Sequence, residues 1–99
     1  MAYRIDFSPE ADDHISGLKA RDRARLLDAI ASQLVHQPTV ETRRRKPLRP
    51  NPVAQYRLRV GDLRMYSDVR ETPECLVVVK AVGIKMRERV YVGGKEVKL

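Results

Sequence analysis

Apolar and polar side chains alternate from the first residues of the chain, with Tyr3, Ile5 and Phe7 on one side and Arg4 and Asp6 on the other. A period of two predicts a half-buried strand. Ser8-Pro9 follows, an N-cap residue and a proline suited to the first helical position, so a helix is expected to start there. Glu10, Asp12 and Asp13 lie in its first turns, where the positive end of the dipole favours acids. Ala11, Ile15 and Leu18 form its apolar stripe, and Gly17 weakens it, so it should end near Lys19. The period then predicts a second helix from Asp22 to His36, with Leu26, Leu27, Ile30, Ala31 and Leu34 at helical spacing and Pro38 as its stop. Residues 37–53 read as a loop, because Pro38, Pro47, Pro50 and Pro52 suit neither a continuous helix nor a central strand.

Beyond the loop the period returns to two. Gln55–Val60 and Leu63–Val69 are expected as strands around a Gly61-Asp62 turn. Glu71-Thr72-Pro73-Glu74 reads as another turn, Cys75–Val82 as a Val-rich central strand, and Val90–Val92 as a short last strand before Gly93-Gly94. The two-residue turn sets a register in which Val60 opposes Leu63, Arg59 opposes Arg64, Leu58 opposes Met65 and Arg57 opposes Tyr66. Leu58, Val60, Leu63, Met65 and Val69 should then face the helices, and Arg57, Arg59, Arg64 and Tyr66 should face away. The expected fold is α+β in two layers, with an N-terminal strand and a helical hairpin packed on a curved, mostly antiparallel sheet.

With 99 residues, the chain is expected to form one domain spanning 1–99. No apolar run is long enough for a membrane helix, no secretory core follows Met1, and the single Cys75 fits a reducing cytoplasm. One Cys and two distant His do not make a zinc ligand set, and no cofactor motif is present. Charge adds more. Residues 1–40 carry five basic and six acidic side chains, whereas residues 41–99 carry fifteen and seven. A neutral first part joined to a strongly basic second part points to a polyanionic partner, nucleic acid first.

Arg59 opposite Arg64 places like charges across a ladder, an arrangement that costs stability. Arg57, Arg59, Arg64 and Tyr66 together suit phosphate oxygens and stacked bases. The run Arg43-Arg44-Arg45-Lys46 adds charge to the same half, and Lys85, Arg87, Arg89 and Tyr91 follow the Val-rich strand. A basic outward face of this kind is otherwise simply solvated, and Tyr91 alone reads as an edge aromatic. Beside the arginines it becomes a candidate for stacking on a base or orienting a phosphate.

In order and spacing, three segments resemble the RelE/ParE superfamily of bacterial toxin–antitoxin toxins. They are the opening Tyr3–Ser8, the stretch Tyr56-Arg57-Leu58-Arg59-Val60-Gly61-Asp62-Leu63-Arg64, and Val82-Gly83-Ile84-Lys85-Met86-Arg87 with Val90-Tyr91. The resemblance implies a RelE-like fold and a basic face that enters the ribosomal A site, contacts ribosomal RNA and cleaves mRNA. It also implies a cognate antitoxin that wraps the toxin. The catalytic set it implies falls on Arg57, Arg59, Arg64, Lys85 and Tyr91, with Arg43, Arg44, Arg45, Lys46, Tyr66, Arg87 and Arg89 as RNA-binding residues. Arg stands at positions 57 and 59 where nuclease members carry Lys, and a guanidinium cannot act as a base. The resemblance therefore assigns the acid to Lys85 and the base to Tyr91, a substrate group or ribosomal RNA. Other branches of the resemblance are a ParE-like inhibitor of DNA gyrase and a catalytically weak RNA-binding relative.

Overall fold

A computed structural model describes residues 2–98. The elements run β1 (Arg4–Phe7), α1 (Pro9–Ser16), α2 (Ala20–Gln33), β2 (Arg45–Pro47), β3 (Tyr56–Val60), β4 (Leu63–Arg70), β5 (Leu76–Met86), β6 (Arg89–Val92) and β7 (Lys95–Val97). Neighbouring strands are hydrogen-bonded in the order β2-β3-β4-β5-β6-β7, all antiparallel, and β1 joins β5 in parallel. The helical hairpin covers one face of this sheet, as the two-layer reading predicts.

The β3–β4 register is the one the Gly61-Asp62 turn dictates, pair for pair. Gly61 takes φ +60°, which a two-residue hairpin turn requires and glycine adopts without strain. Leu58, Leu63 and Met65 are consequently buried against Ala11, Leu26, Ile30 and Leu34, with Val60 and Val69 at the margin. On α2 the inward stripe is narrower than expected. Leu26, Ile30 and Leu34 point in, whereas Leu27 and Ala31 face solvent.

Both helices end earlier than their apolar periods suggest. Gly17 closes α1, returning its N–H to the carbonyls of Asp13 and Ile15. α2 stops at Gln33 because the chain peels away to the sheet, where the Val35 carbonyl accepts the Tyr3 N–H at 2.6 Å. The start of α1 follows the capping prediction. Ser8 Oγ accepts the Ala11 N–H at 3.1 Å and donates to the Lys80 carbonyl at 2.9 Å.

That second bond matters to the sheet. Along one edge of β5, β1 pairs only as far as Val79 and β6 begins only at Gly83. The backbone between would lack partners. Ser8 covers the Lys80 carbonyl, and His14 Nδ1 accepts the Val82 N–H at 3.2 Å. Two side chains of the α1 region thus complete the ladder where no strand does. Lys80 is also where β4 and β5 lose register, since Tyr66 pairs with Ala81 but Ser67 with Val79. The extra residue reverses the alternation of β5. Val77, Val79 and Val82 all reach the helix side, and Ala81 faces away.

Three expectations for the strands need correction. β5 does not stop at Val82 but runs to Met86, so Gly83 and Lys85 lie within a strand. Gly83 is needed for closeness, because a Cβ there would stand 2.7 Å from the Tyr91 carbonyl oxygen and 2.8 Å from Val92 Cγ2. A last hairpin, β6–β7, turns through Gly93 and Gly94, both with positive φ, and the sequence pattern does not predict the short β7. The 37–53 segment is not structureless either, for β2 lies inside it. Its proline-rich end is held by Asn51, whose Oδ1 accepts the N–H groups of Val53 and Ala54 at 2.8 and 3.0 Å. Leu48, Val53 and Ala54 then pack over Tyr66 and Ala81 as a second, smaller core.

Candidate nucleic-acid interface

Directly paired residues in an antiparallel sheet share a face. On the face away from the helices, one rung reads Lys46, Arg57, Tyr66, Ala81 and the next reads Arg59, Arg64, Gly83, Val92. Lys85 lies on the same face, two residues beyond Gly83 on β5. Five cations, Lys46, Arg57, Arg59, Arg64 and Lys85, therefore share the outer surface of four adjacent strands. Among the described residues the ion pairs are Arg4–Asp6, Arg4–Glu74, Arg25–Asp22 and Arg89–Glu96, so none of the five has a carboxylate partner.

Each cation is held differently. Arg59 is exposed, and its N–H bonds the Arg44 carbonyl at 2.8 Å, which continues the β2–β3 pairing. Arg64 is largely buried. Its Nη1 donates to the carbonyls of Gly61 and Leu63 at 2.8 and 2.9 Å, and this pins the guanidinium beside the turn. Burial and then the charges of Arg57 and Arg59 lower its pKa from the ordinary arginine value. Arg57 is half-buried, and its Nε is enclosed without an acceptor. An enclosed donor of this kind is uncommon in folded proteins. The backbone of Lys85 is fixed by a 2.7 Å bond from its N–H to the Asp62 carbonyl. Arg59, Arg64, Lys85 and Arg87 line one open cleft beside the Gly61-Asp62 turn.

The other sequence-predicted residues are not all part of this surface. Tyr91 pairs with Ile84 and so lies on the opposite face, towards α1, where it lines an apolar cleft with His14, Leu18 and Ile84. The five-residue catalytic set is therefore divided between the two sides of the sheet. Arg89 shares the Tyr91 side and is paired with Glu96 at 3.8 Å. Arg45 turns inward because it pairs with Leu58, a core residue. Its guanidinium donates to the carbonyls of Gln33 and Val40, closing the C-terminal end of α2 onto the following loop. It is a structural arginine and presents nothing to a ligand. Tyr66 does lie on the outer face, but the 48–54 segment covers it, leaving no ring surface for stacking. Burial raises its pKa despite Arg57 and Arg64 nearby, so the phenol stays neutral. Arg43, Arg44 and Lys46 are exposed. Arg25 was not singled out in the sequence, yet its guanidinium lies against Gly61, a contact that only the packing of α2 on β3 creates.

No protein-family model matches the chain, and neither does any curated protein sequence. Among solved structures, a chain of the toxin–antitoxin complex RelBE2 from Mycobacterium tuberculosis superposes on it with a TM-score of 0.72. The match covers 86% of this chain and 100% of that one. The protein has a RelE fold. At 22% identity the likeness is one of architecture, the helical hairpin and the curved sheet. What the RelE fold supplies here is a sheet that presents outward cations from adjacent strands.

Proposed function

We propose that the protein is the toxin of a type II toxin–antitoxin system, and that its outer sheet face binds and cleaves mRNA on translating ribosomes. The observation that carries this reading is the set Arg57, Arg59, Arg64 and Lys85, four cations on one face with no carboxylate partner among the described residues. The stability cost of Arg59 opposite Arg64 is offset when a phosphate lies between them. The RelE fold and its occurrence in a toxin–antitoxin complex support the same assignment.

In strand cleavage a ribose 2′-oxygen attacks the adjacent phosphorus, and the bond to the leaving 5′-oxygen breaks. Negative charge grows on the phosphate. Arg57, Arg59 and Arg64 are donors on the face that meets it, Arg64 held by its bonds to the Gly61 and Leu63 carbonyls, and a preorganised contact of this kind is worth about 10²–10³ in rate. Lys85 is the member of the set able to give up a proton, and it protonates the 5′-oxygen. A guanidinium is no base, Tyr66 is enclosed and Tyr91 is on the other side, whereas the Asp62 carboxylate lines the cleft with Arg59, Arg64 and Lys85. The 2′ proton passes to the RNA itself, to a ribosomal group or to the Asp62 carboxylate. An acidic antitoxin segment would be drawn to the same unpaired cations.

The test is to add the purified protein to a translating extract and map mRNA ends by primer extension, with naked message as control. Cuts confined to ribosome-engaged message are expected. Intact message with translation still running would overturn the reading and favour a target such as gyrase.

A further inference from the structure

The cations of the outer face do not stop at its edge. Arg59 and Gly61 line two clefts, one on the outer side with Arg64 and Lys85, and one on the α2 side with Arg25 and Arg44. The second has a volume of about 650 Å³, and its remaining polar lining is Asp28, Ser32 and Gln33. Gly61 joins the two. A Cβ at Gly61 would run into Arg25 Nη2, so a guanidinium of the helix layer rests beside the turn. On the other side, the Gly61 carbonyl takes Arg64 Nη1 at 2.8 Å. One glycine is thus clasped by a guanidinium from each layer. Arg25 has an acidic neighbour, Asp22, but at 3.8 Å and with half the arginine side chain exposed, such a pair contributes little and yields readily to a phosphate. Three arginines and one acid, Asp28, line the cleft, so its lining carries a net positive charge.

We propose that the α2 cleft is a second phosphodiester-binding subsite, filled by the continuation of the RNA strand that lies on the outer face. The strand crosses from one layer to the other over Gly61, where a side chain would block both Arg25 and the path. Arg25 is the inner ligand of this subsite, and Asp28 weakens it. The inference rests on the RNA-binding reading of the outer face.

The test is fluorescence anisotropy of the full chain with single-stranded RNAs of about four and about twelve nucleotides, spanning one short site or more. Arg25→Gln is expected to weaken the longer RNA about threefold and to lower its salt slope by about 0.7, the share of one phosphate contact. Asp28→Asn is expected to strengthen the longer RNA by a similar factor. Neither should alter the shorter RNA. Both are exposed helix positions, and circular dichroism confirms that the variants fold. A longer RNA that gains nothing over the shorter one, or an Arg25→Gln effect equal on both, overturns the second subsite. Two short RNAs per chain, with no gain from length, would place a separate RNA in the cleft and overturn the continuous path. Wild-type protein that binds neither RNA removes the outer-face reading itself, a failure distinct from the other two.

Discussion

Replacing Arg59 with Thr should make the protein more stable and a weaker RNA binder. Arg59 is exposed on β3, lies opposite Arg64 and has no ion pair among the described residues, so the folded protein gains little from its side chain. Like charges directly opposed cost a few tenths to about 1 kcal/mol, and Thr suits a strand. Urea unfolding should therefore show a gain of about 0.5 kcal/mol at low salt that shrinks as salt screens the pair. Five face cations predict a slope near −3.5 for log affinity against log salt on single-stranded RNA, and loss of one lowers its magnitude by about 0.7. The ratio of wild-type to variant affinity should then narrow by about 2.6-fold when salt rises fourfold. A variant that is less stable, with RNA affinity and salt slope unchanged, would refute the claim that Arg59 is kept for a ligand at the expense of the fold.

Other outcomes follow from the packing. Gly83→Ala must push its methyl group into the Tyr91 carbonyl and Val92, and thermal unfolding should register a loss of about 1–3 kcal/mol. Arg45→Met leaves the Gln33 and Val40 carbonyls without their donor and should cost about 1–3 kcal/mol in urea unfolding, with RNA affinity corrected for folded fraction unchanged. His14→Phe removes the acceptor of the Val82 N–H, and amide exchange at Val82 should accelerate while exchange at Met65 does not. Because burial raises the Tyr66 pKa, folding stability from its neutral phenol is full below the ordinary tyrosine value of 10.0 and is lost as pH rises through the higher folded value. Tyr66→Phe should flatten that alkaline loss in unfolding measurements above pH 10.0.

Local pattern was enough for the β3–β4 hairpin, since a two-residue turn leaves a single register and the register decides the faces. It was enough for the start of α1, where Ser8 and Pro9 act within a few residues. What local pattern does not hold is contact between distant segments. Arg45 reads as one more charge in a basic run, and only the C-terminal end of α2 makes it structural. Tyr66 alternates correctly onto the outer face, but the cover supplied by the segment around Asn51 depends on how a proline-rich stretch folds back. Tyr91 reads with the arginines because the sequence puts Val90–Val92 near them but gives it no register; its pairing with Ile84 sends it to the other side. The extension of β5 through Gly83 was hidden for a related reason, because glycine reads as a break until the strand that crosses so closely over it is known.

The central claim is that the outer face of the sheet, and not the Tyr91 side, takes the RNA strand. Backbone amide chemical shifts, followed as single-stranded RNA is added to labelled protein, test it most directly. The account predicts that shifts concentrate at Arg57, Arg59, Arg64 and Lys85 and around Gly61, with β1 and β7 unmoved. Shifts centred on Ile84, Met86 and Tyr91 with the arginine rungs silent would contradict it.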